Sequence, residues 1–326
     1  MLLALPIVHV LSWIAGASVP PSAQDATCVR CHAPEAVQWS LSSHRTAFTG
    51  SEFQAAFAVE PTAFCRDCHA PSDTPAVGVG CLSCHEGPDA AVLAGPSPRS
   101  DAPAPHPVLR TPAFATTDAC ARCHEFAFPD GALRDGVALM QSTVTEHAQS
   151  PFGNRSCGDC HMPKVGDRRD HTFAASRDPD VLRQALRWAV RRVDAGTVEV
   201  SLWAGEVGHA FPTGDLFRRL EVSANVVGRP KTLVQRYLAR HFGPARQSSG
   251  VVLRGEVRDD RVPASGEPRI VRLQVDAGLD DTVEWSVRYQ RVAHPRGFDP
   301  REALLDGEVE LARGQLTTVD IADTRP

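Results

Sequence analysis

Lysine is almost missing from this chain. Lys164 and Lys231 are the only two, and every other basic residue is arginine. The 34 Lys and Arg are outnumbered by 39 Asp and Glu, and no basic run gathers anywhere, so a nucleic-acid surface is not expected. Aromatics are scarce at 6%, with Tyr237 and Tyr289 the two tyrosines. Proline (26) and glycine (24) are plentiful, so much of the chain should be loop. Long apolar runs are lacking too. Only the N-terminus has one, Leu2 to Ala17, interrupted by His9 and Ser12. It is shorter than the roughly 20 residues of a membrane span and suits a secretory signal core. Ala15-Gly16-Ala17 offers small residues for cleavage, although no Lys or Arg precedes the stretch. Residues 1–24 therefore read as a signal peptide or N-terminal anchor, and the chain as periplasmic or otherwise exported.

What is present in quantity is cysteine. The ten fall into five pairs two residues apart: Cys28/Cys31, Cys65/Cys68, Cys81/Cys84, Cys120/Cys123 and Cys157/Cys160. A histidine follows each pair at once: His32, His69, His85, His124 and His161. Zinc sites and disulfide frameworks also use paired cysteines, but neither needs a histidine after every pair. C-x-x-C-H is the attachment signature of c-type haem. Two thiols one short turn apart can each add to a vinyl group of one haem, and the adjacent histidine becomes the proximal iron ligand. Five covalently bound haem c groups are expected, which leaves no cysteine for disulfides and agrees with export.

Five haems in about 150 residues, 25–177, leave too little chain for an ordinary side-chain core, so the porphyrins themselves must form much of it. Their propionates would pair with arginine, with Arg45, Arg155, Arg168 and Arg169 as candidates. From residue 178 the character changes. DPDVLRQALR reads as a short helix capped by Asp178. Strand-like runs follow: two joined at Asp194-Ala195-Gly196, then runs from Leu220, Gly250, Arg269, Thr282 and Gly307, with a helix at about 231–241 between them. The expected fold is an α-plus-irregular multihaem domain of few short helices and many loops (25–177), followed by a mostly-β, sandwich-like domain (178–326).

Several stretches carry a family resemblance. EAVQWSLSSH follows the first motif, MQSTVTEHAQSP leads into CGDCHMP, DHTFAASRDPDVLRQAL follows the last, and GHAFPTGD precedes Arg218-Arg219. Together they resemble the multihaem c-type cytochromes grouped with hydroxylamine oxidoreductase, tetrathionate reductase and pentahaem nitrite reductase, with a β-domain fused behind. The resemblance implies redox chemistry on closely packed haems. Two departures speak against the specific catalysts. All five motifs end in His, where pentahaem nitrite reductases usually have one Lys. Neither tyrosine lies in the haem half, where hydroxylamine oxidoreductases cross-link one.

The distal ligands separate a carrier from an enzyme, because an iron with two protein ligands passes electrons and binds little else. Met162 directly follows His161, and Met140, an alternative ligand, reads rather as a packing residue on a helix at MQSTVTEH, so bis-histidine ligation is the default. His9 sits in the signal segment. His44, His106, His147 and His171 are the candidates in the haem half. They are one short of five, and His209, on the constrained turn at Pro212-Thr213-Gly214, is the candidate from the β half. His241 and His294 read as surface residues. The leading expectation is electron transfer between redox partners, such as a membrane quinol-oxidising complex or another cytochrome. The alternatives are an oxidoreductase with one open haem acting on nitrogen or sulfur oxyanions, and a docking or self-associating module of a cytochrome assembly.

Overall fold

The structure, a computed structural model, describes residues 23–59, 61–72, 74–98, 103–128, 139–175, 177–214, 216–246, 252–296, 299–317 and 322–325. The signal or anchor read at residues 1–24 lies almost wholly outside them. No helix among the described residues is long and apolar enough to cross a membrane.

Up to residue 177 the chain makes short helices separated by turns. They are α1 (Ala23–Val29), α2 (Ala33–Ser40), α3 (Ser51–Val59), α4 (Ala63–His69), α5 (Cys81–His85), α6 (Asp118–His124), α7 (Thr143–Ala148) and α8 (Gly158–His161). Three small two-stranded ribbons join them: β1 (Val92–Ala94) with β2 (Val108–Arg110), β3 (Glu125–Ala127) with β4 (Leu139–Ser142), and β5 (Lys164–Val165) with β6 (Arg168–Arg169). Among the described residues of this part, Trp39, Ala70 and Val77 are the only buried apolar side chains. Helices this short are marginal in water without packing, and side chains alone supply little of it here.

The remainder is different. Helix α9 (Pro179–Gln184) starts at Asp178, whose carboxylate accepts from the amides of Asp180 and Val181 at 2.9 and 3.2 Å. Strands β7 (Leu186–Arg192) and β8 (Thr197–Ala204) follow, with Asp194 accepting from Gly196 and Thr197 in the turn between them. Next come β9 (Arg218–Val226), β10 (Arg229–Leu238), β11 (Arg240–Arg246), β12 (Val252–Asp259), β13 (Arg269–Gln274), β14 (Val283–His294), β15 (Leu304–Leu316) and β16 (Ala322–Arg325). One four-stranded sheet runs β13-β8-β7-β16, a second runs β10-β9-β14-β15, and β11 pairs with β12. Alternate residues of the two sheets meet in one core: Val198, Val200 and Leu202 from β8, Leu220, Val222 and Ala224 from β9, Trp285, Val287 and Tyr289 from β14. Trp188 and Trp285 touch edge to face at 4.9 Å between ring centres.

The helix expected at about 231–241 is not there. Those residues are β10 and the start of β11, with Val234 opposite Ala224 and Tyr237 opposite Glu221. Its Leu, Gln and Arg content favours helix locally, but Thr232, Val234 and Tyr237 suit a strand, and an open sheet edge at β9 supplies the ladder. The far side of β14 is covered by α3. There Ser51 donates to Asp306 at 2.6 Å, and Arg177 pairs with Glu52 and, at 3.6 Å, with Asp306.

Candidate haem-binding site

All five C-x-x-C-H stretches fold alike. His69, His85, His124 and His161 end α4, α5, α6 and α8, and His32 lies three residues past α1, at the N-cap of α2. The histidine amide donates back to the first cysteine at 2.9 Å in the first and fifth motifs. Both thiols therefore lie one helical turn apart and the imidazole projects beside them. No disulfide joins any of the ten cysteines. Burial, reinforced by the Asp25 carboxylate, pushes the Cys81 thiol up to about 12. Cys84 is open to solvent on one side yet crowded by its surroundings, and desolvation raises its thiol too. Among the described residues no group of three His, Cys, Asp or Glu is placed to hold a metal ion.

The motifs abut one another. Sulfur atoms meet between Cys28 and Cys81, between Cys68 and Cys123, and between Cys120 and Cys157. Asp25, buried on α1, accepts from the Cys81 amide at 2.9 Å and ties the first motif to the third. The fourth motif thus borders the second and fifth, and the Cys84 thiol of the third feels Cys123 as well.

Cys31 and Cys160, like Cys84, are exposed members of the ten cysteines. The polypeptide leaves both exposed, whereas their motif partners Cys28 and Cys157 are half-buried. The reason is which thiol of each motif meets a neighbour. In the first motif it is Cys28, against Cys81, and in the fifth it is Cys157, against Cys120. The second thiol, one helical turn further on, then faces away from that contact and toward solvent. No enclosing pocket of side chains therefore surrounds Cys31 or Cys160. An exposed thiol is open to addition, so the two remain candidates for attachment on their spacing to Cys28 and Cys157 rather than on burial.

The histidines meet in pairs. His32 faces His106 with ring centres 6.4 Å apart, His124 faces His44 at 6.2 Å, His85 faces His171 at 6.4 Å, and His161 faces His209 at 6.2 Å with the planes within 8°. Two imidazole nitrogens each about 2 Å from one iron put the ring centres roughly 6 Å apart. The spacing therefore fits an iron between each pair, with His32, His85, His124 and His161 from motifs and His106, His171, His44 and His209 opposite. The hydrogen bonds agree. Nδ1 of His69 faces the Ala47 carbonyl at 2.7 Å, His85 that of Leu93 at 2.8 Å, His161 that of Ala174 at 3.1 Å, His171 that of Arg169 at 2.9 Å and His209 that of Ala210 at 3.0 Å. An Nδ1–H donating to a carbonyl leaves Nε2 with its lone pair for a metal. Burial keeps the imidazoles of His44 and His209 neutral by pushing both down to about 4, and it lowers His85 and His124. His69 stacks on Phe53 at 4.0 Å.

Of the five histidines proposed as distal ligands, His147 is the one placed otherwise. Both its ring nitrogens meet main-chain carbonyls: Nδ1 that of Gly208 at 2.7 Å and Nε2 that of Arg155 at 2.9 Å. That leaves no nitrogen for iron. Instead it joins the lead-in to the fifth motif to the residue before His209. His44 lies in the turns just past α2 rather than on a helix. Its carbonyl accepts from the Val79 amide at 2.9 Å, so close that a Cβ on Gly78, which has φ +68°, would sit 2.5 Å from it. His241 bonds Asp260 at 2.9 Å, and His294 accepts from the Arg296 amide at 2.8 Å. Met140 is on β4, not on a helix. Of the arginines, Arg168 pairs with Glu35 at 2.9 Å and Arg169 with Asp159 at 3.0 Å, while Arg45 donates to the Ala76 carbonyl.

The His209 turn is held by groups the sequence did not flag. Thr213 donates to Glu146 Oε2 at 2.6 Å, and Arg261 donates to the Pro212 carbonyl at 3.1 Å and to Glu146 Oε1 at 2.7 Å. Their partners are distant in the chain, so no local pattern announces them.

A solved structure has this architecture. A penta-heme cytochrome c552 from Thermochromatium tepidum is similar over 89% of this chain and 97% of its own, with a TM-score of 0.63 and 19% identity. The two chains share a fold. No family model matches this chain, and no curated protein does.

Proposed function

We propose that this chain is an exported pentahaem c-type cytochrome that relays electrons between redox partners. The observation that carries the reading is the set of four histidine pairs at 6.2 to 6.4 Å, each joining a motif histidine to one from elsewhere. Haem c, when bound, supplies one-electron chemistry. The protein's own residues do the rest. The ten cysteines would anchor the groups, the paired imidazoles would hold four of the irons, and the backbone carbonyls at Nδ1 would orient the ligands. The abutting motifs place the attachment points side by side, as a relay needs. The sparse side-chain core before residue 177 is what is left when prosthetic groups form the interior. The pentahaem content of the fold neighbour supports the same count. Donor and acceptor are then other redox proteins, such as a quinol-oxidising complex or a second cytochrome.

The test is spectroscopic. Protein exported in a host that attaches haem c should give five haems per chain by pyridine haemochrome assay and intact mass. Electron paramagnetic resonance should show low-spin signals from the paired haems. A haem count near zero would sink the reading. A high-spin signal that changes on adding nitrite or hydroxylamine would replace the relay by an oxidoreductase.

A further inference from the structure

His124 differs from the other motif histidines in what holds it. Nδ1 of His69, His85 and His161 rests on a main-chain carbonyl, whereas Nδ1 of His124 lies 3.1 Å from Nε2 of a side chain, the carboxamide of Gln141. Gln141 is buried at 8% exposure on β4, beside the strand that leaves His124. Its Nε2 is also 3.1 Å from Thr143 Oγ1. Thr143 meets Thr213 Oγ1 at 3.0 Å, Thr213 donates to Glu146 at 2.6 Å, and Arg261 donates to Glu146 at 2.7 Å. Thus a line of polar contacts runs from His124 toward a buried ion pair of the β-rich part. A second clamp acts on the same strand. Arg240 donates to the carbonyls of Leu139 and Met140 at 2.6 and 2.9 Å. The residues on both sides of Gln141 are therefore gripped from β11, from the loop after β12 and from the His209 turn.

We propose that Gln141 is a positioning residue for the iron ligand His124, held in place by the β-rich part through the grip of Arg240 on β4, so that the β-rich part sets the reduction potential of the fourth-motif haem. The inference rests on the haem reading above. An imidazole bound to iron through Nε2 carries its proton on Nδ1 and needs an acceptor there. A main-chain carbonyl can only accept. A carboxamide has both an acceptor and a donor end of nearly equal size and can turn either to the ring. With the amide turned end for end, Oε1 accepts from Nδ1–H and from the Thr143 hydroxyl, fixes the ring about its bond to iron and raises the ligand's basicity. The strength of that bond depends on where β4 is held, and β4 is held by Arg240.

Two substitutions separate this role from packing, because they should move one potential in opposite directions. Gln141→Glu keeps the shape and offers only acceptors, so the ligand becomes more electron-rich and one haem should titrate at lower potential. Gln141→Leu removes the acceptor, so the same haem should titrate at higher potential, with the low-spin resonance of that haem shifted or broadened. Arg240→Met, which releases the Leu139 and Met140 carbonyls on β4, should move the same haem in the direction of Gln141→Leu by a smaller amount. Spectroelectrochemical titration and electron paramagnetic resonance of the full haem-loaded chain read all three. If Gln141→Leu does not assemble, the near-isosteric Gln141→Glu decides. Five haems per chain with every transition unmoved in the variants that assemble overturns the proposal and leaves the cytochrome reading standing. A wild-type chain without covalent haem overturns both.

Discussion

At the scale of single residues, two histidines of the same neighbourhood divide the work. His209 has a buried ring facing His161, with Nδ1 satisfied by a carbonyl and Nε2 left over. His147 has both nitrogens engaged by carbonyls of Gly208 and Arg155. Replacing His209 with alanine should convert one low-spin haem to high-spin, read by electron paramagnetic resonance, with the haem count unchanged at five. Replacing His147 with alanine should leave every low-spin signal in place. It should instead lower unfolding stability by about 1 kcal/mol, the usual net worth of one or two hydrogen bonds, read by chemical denaturation. If the His147 variant gains a high-spin signal, that residue is a ligand after all. The sequence offered His147 as a distal ligand beside His44, His106, His171 and His209. What separated His147 from the others was which atoms its two nitrogens meet, and those partners lie 61 and 8 residues away.

At the scale of elements, the sheets are held by buried apolar faces and trimmed by charge ladders. Glu199 on β8 sits between Arg191 on β7 and Arg272 on β13, at 2.7 and 2.8 Å. Hydrogen bonds from Arg191 and then Arg272 hold its carboxyl below the usual carboxylate range. A depressed folded value means the stabilisation is present above the unfolded carboxylate pKa of about 4.3 and is lost as pH falls through the lower folded value. Glu199→Gln should therefore unfold more easily than the parent at neutral pH, and the gap should narrow in acid, followed by far-ultraviolet circular dichroism against denaturant. A gap that stays constant with pH contradicts the ladder. Strands β7, β8, β9, β12, β13, β14 and β15 were legible as alternating apolar runs. Strand β10 was not, since its residues are good helix formers and only pairing with β9 makes them a strand.

At the scale of the whole molecule, burial is divided unevenly. The β-rich part has a continuous core of its own, with Val190, Val200, Leu202, Leu220, Val222, Ala224 and Val287 at 0% exposure. The earlier part has only Trp39, Ala70 and Val77 as buried apolar side chains among its described residues. A chain made where haem cannot be attached should thus keep its β signal while residues before about 177 lose protection. Hydrogen exchange with mass spectrometry on the haem-free chain reads this directly. Equal protection in both parts would mean that the first part packs by means other than its prosthetic groups.

The sequence by itself determined the local geometry of the five C-x-x-C-H motifs. Thiols two residues apart with a histidine next to them need only one helical turn to be correctly disposed, and that geometry is local. It also determined the change from loops to strands near residue 178, because alternating burial is written as alternating apolarity. Only the tertiary structure decided which histidine faces which, that Cys31 and Cys160 turn outward while Cys28 and Cys157 meet neighbouring motifs, that His147 joins two loops, and that Gln141, Glu146 and Arg261 stand behind His124 and His209. Most of these are contacts between residues tens to more than a hundred positions apart, made where separate stretches of the chain meet. No local periodicity records them, because what selects them is the satisfaction of buried polar groups after the chain has closed on itself.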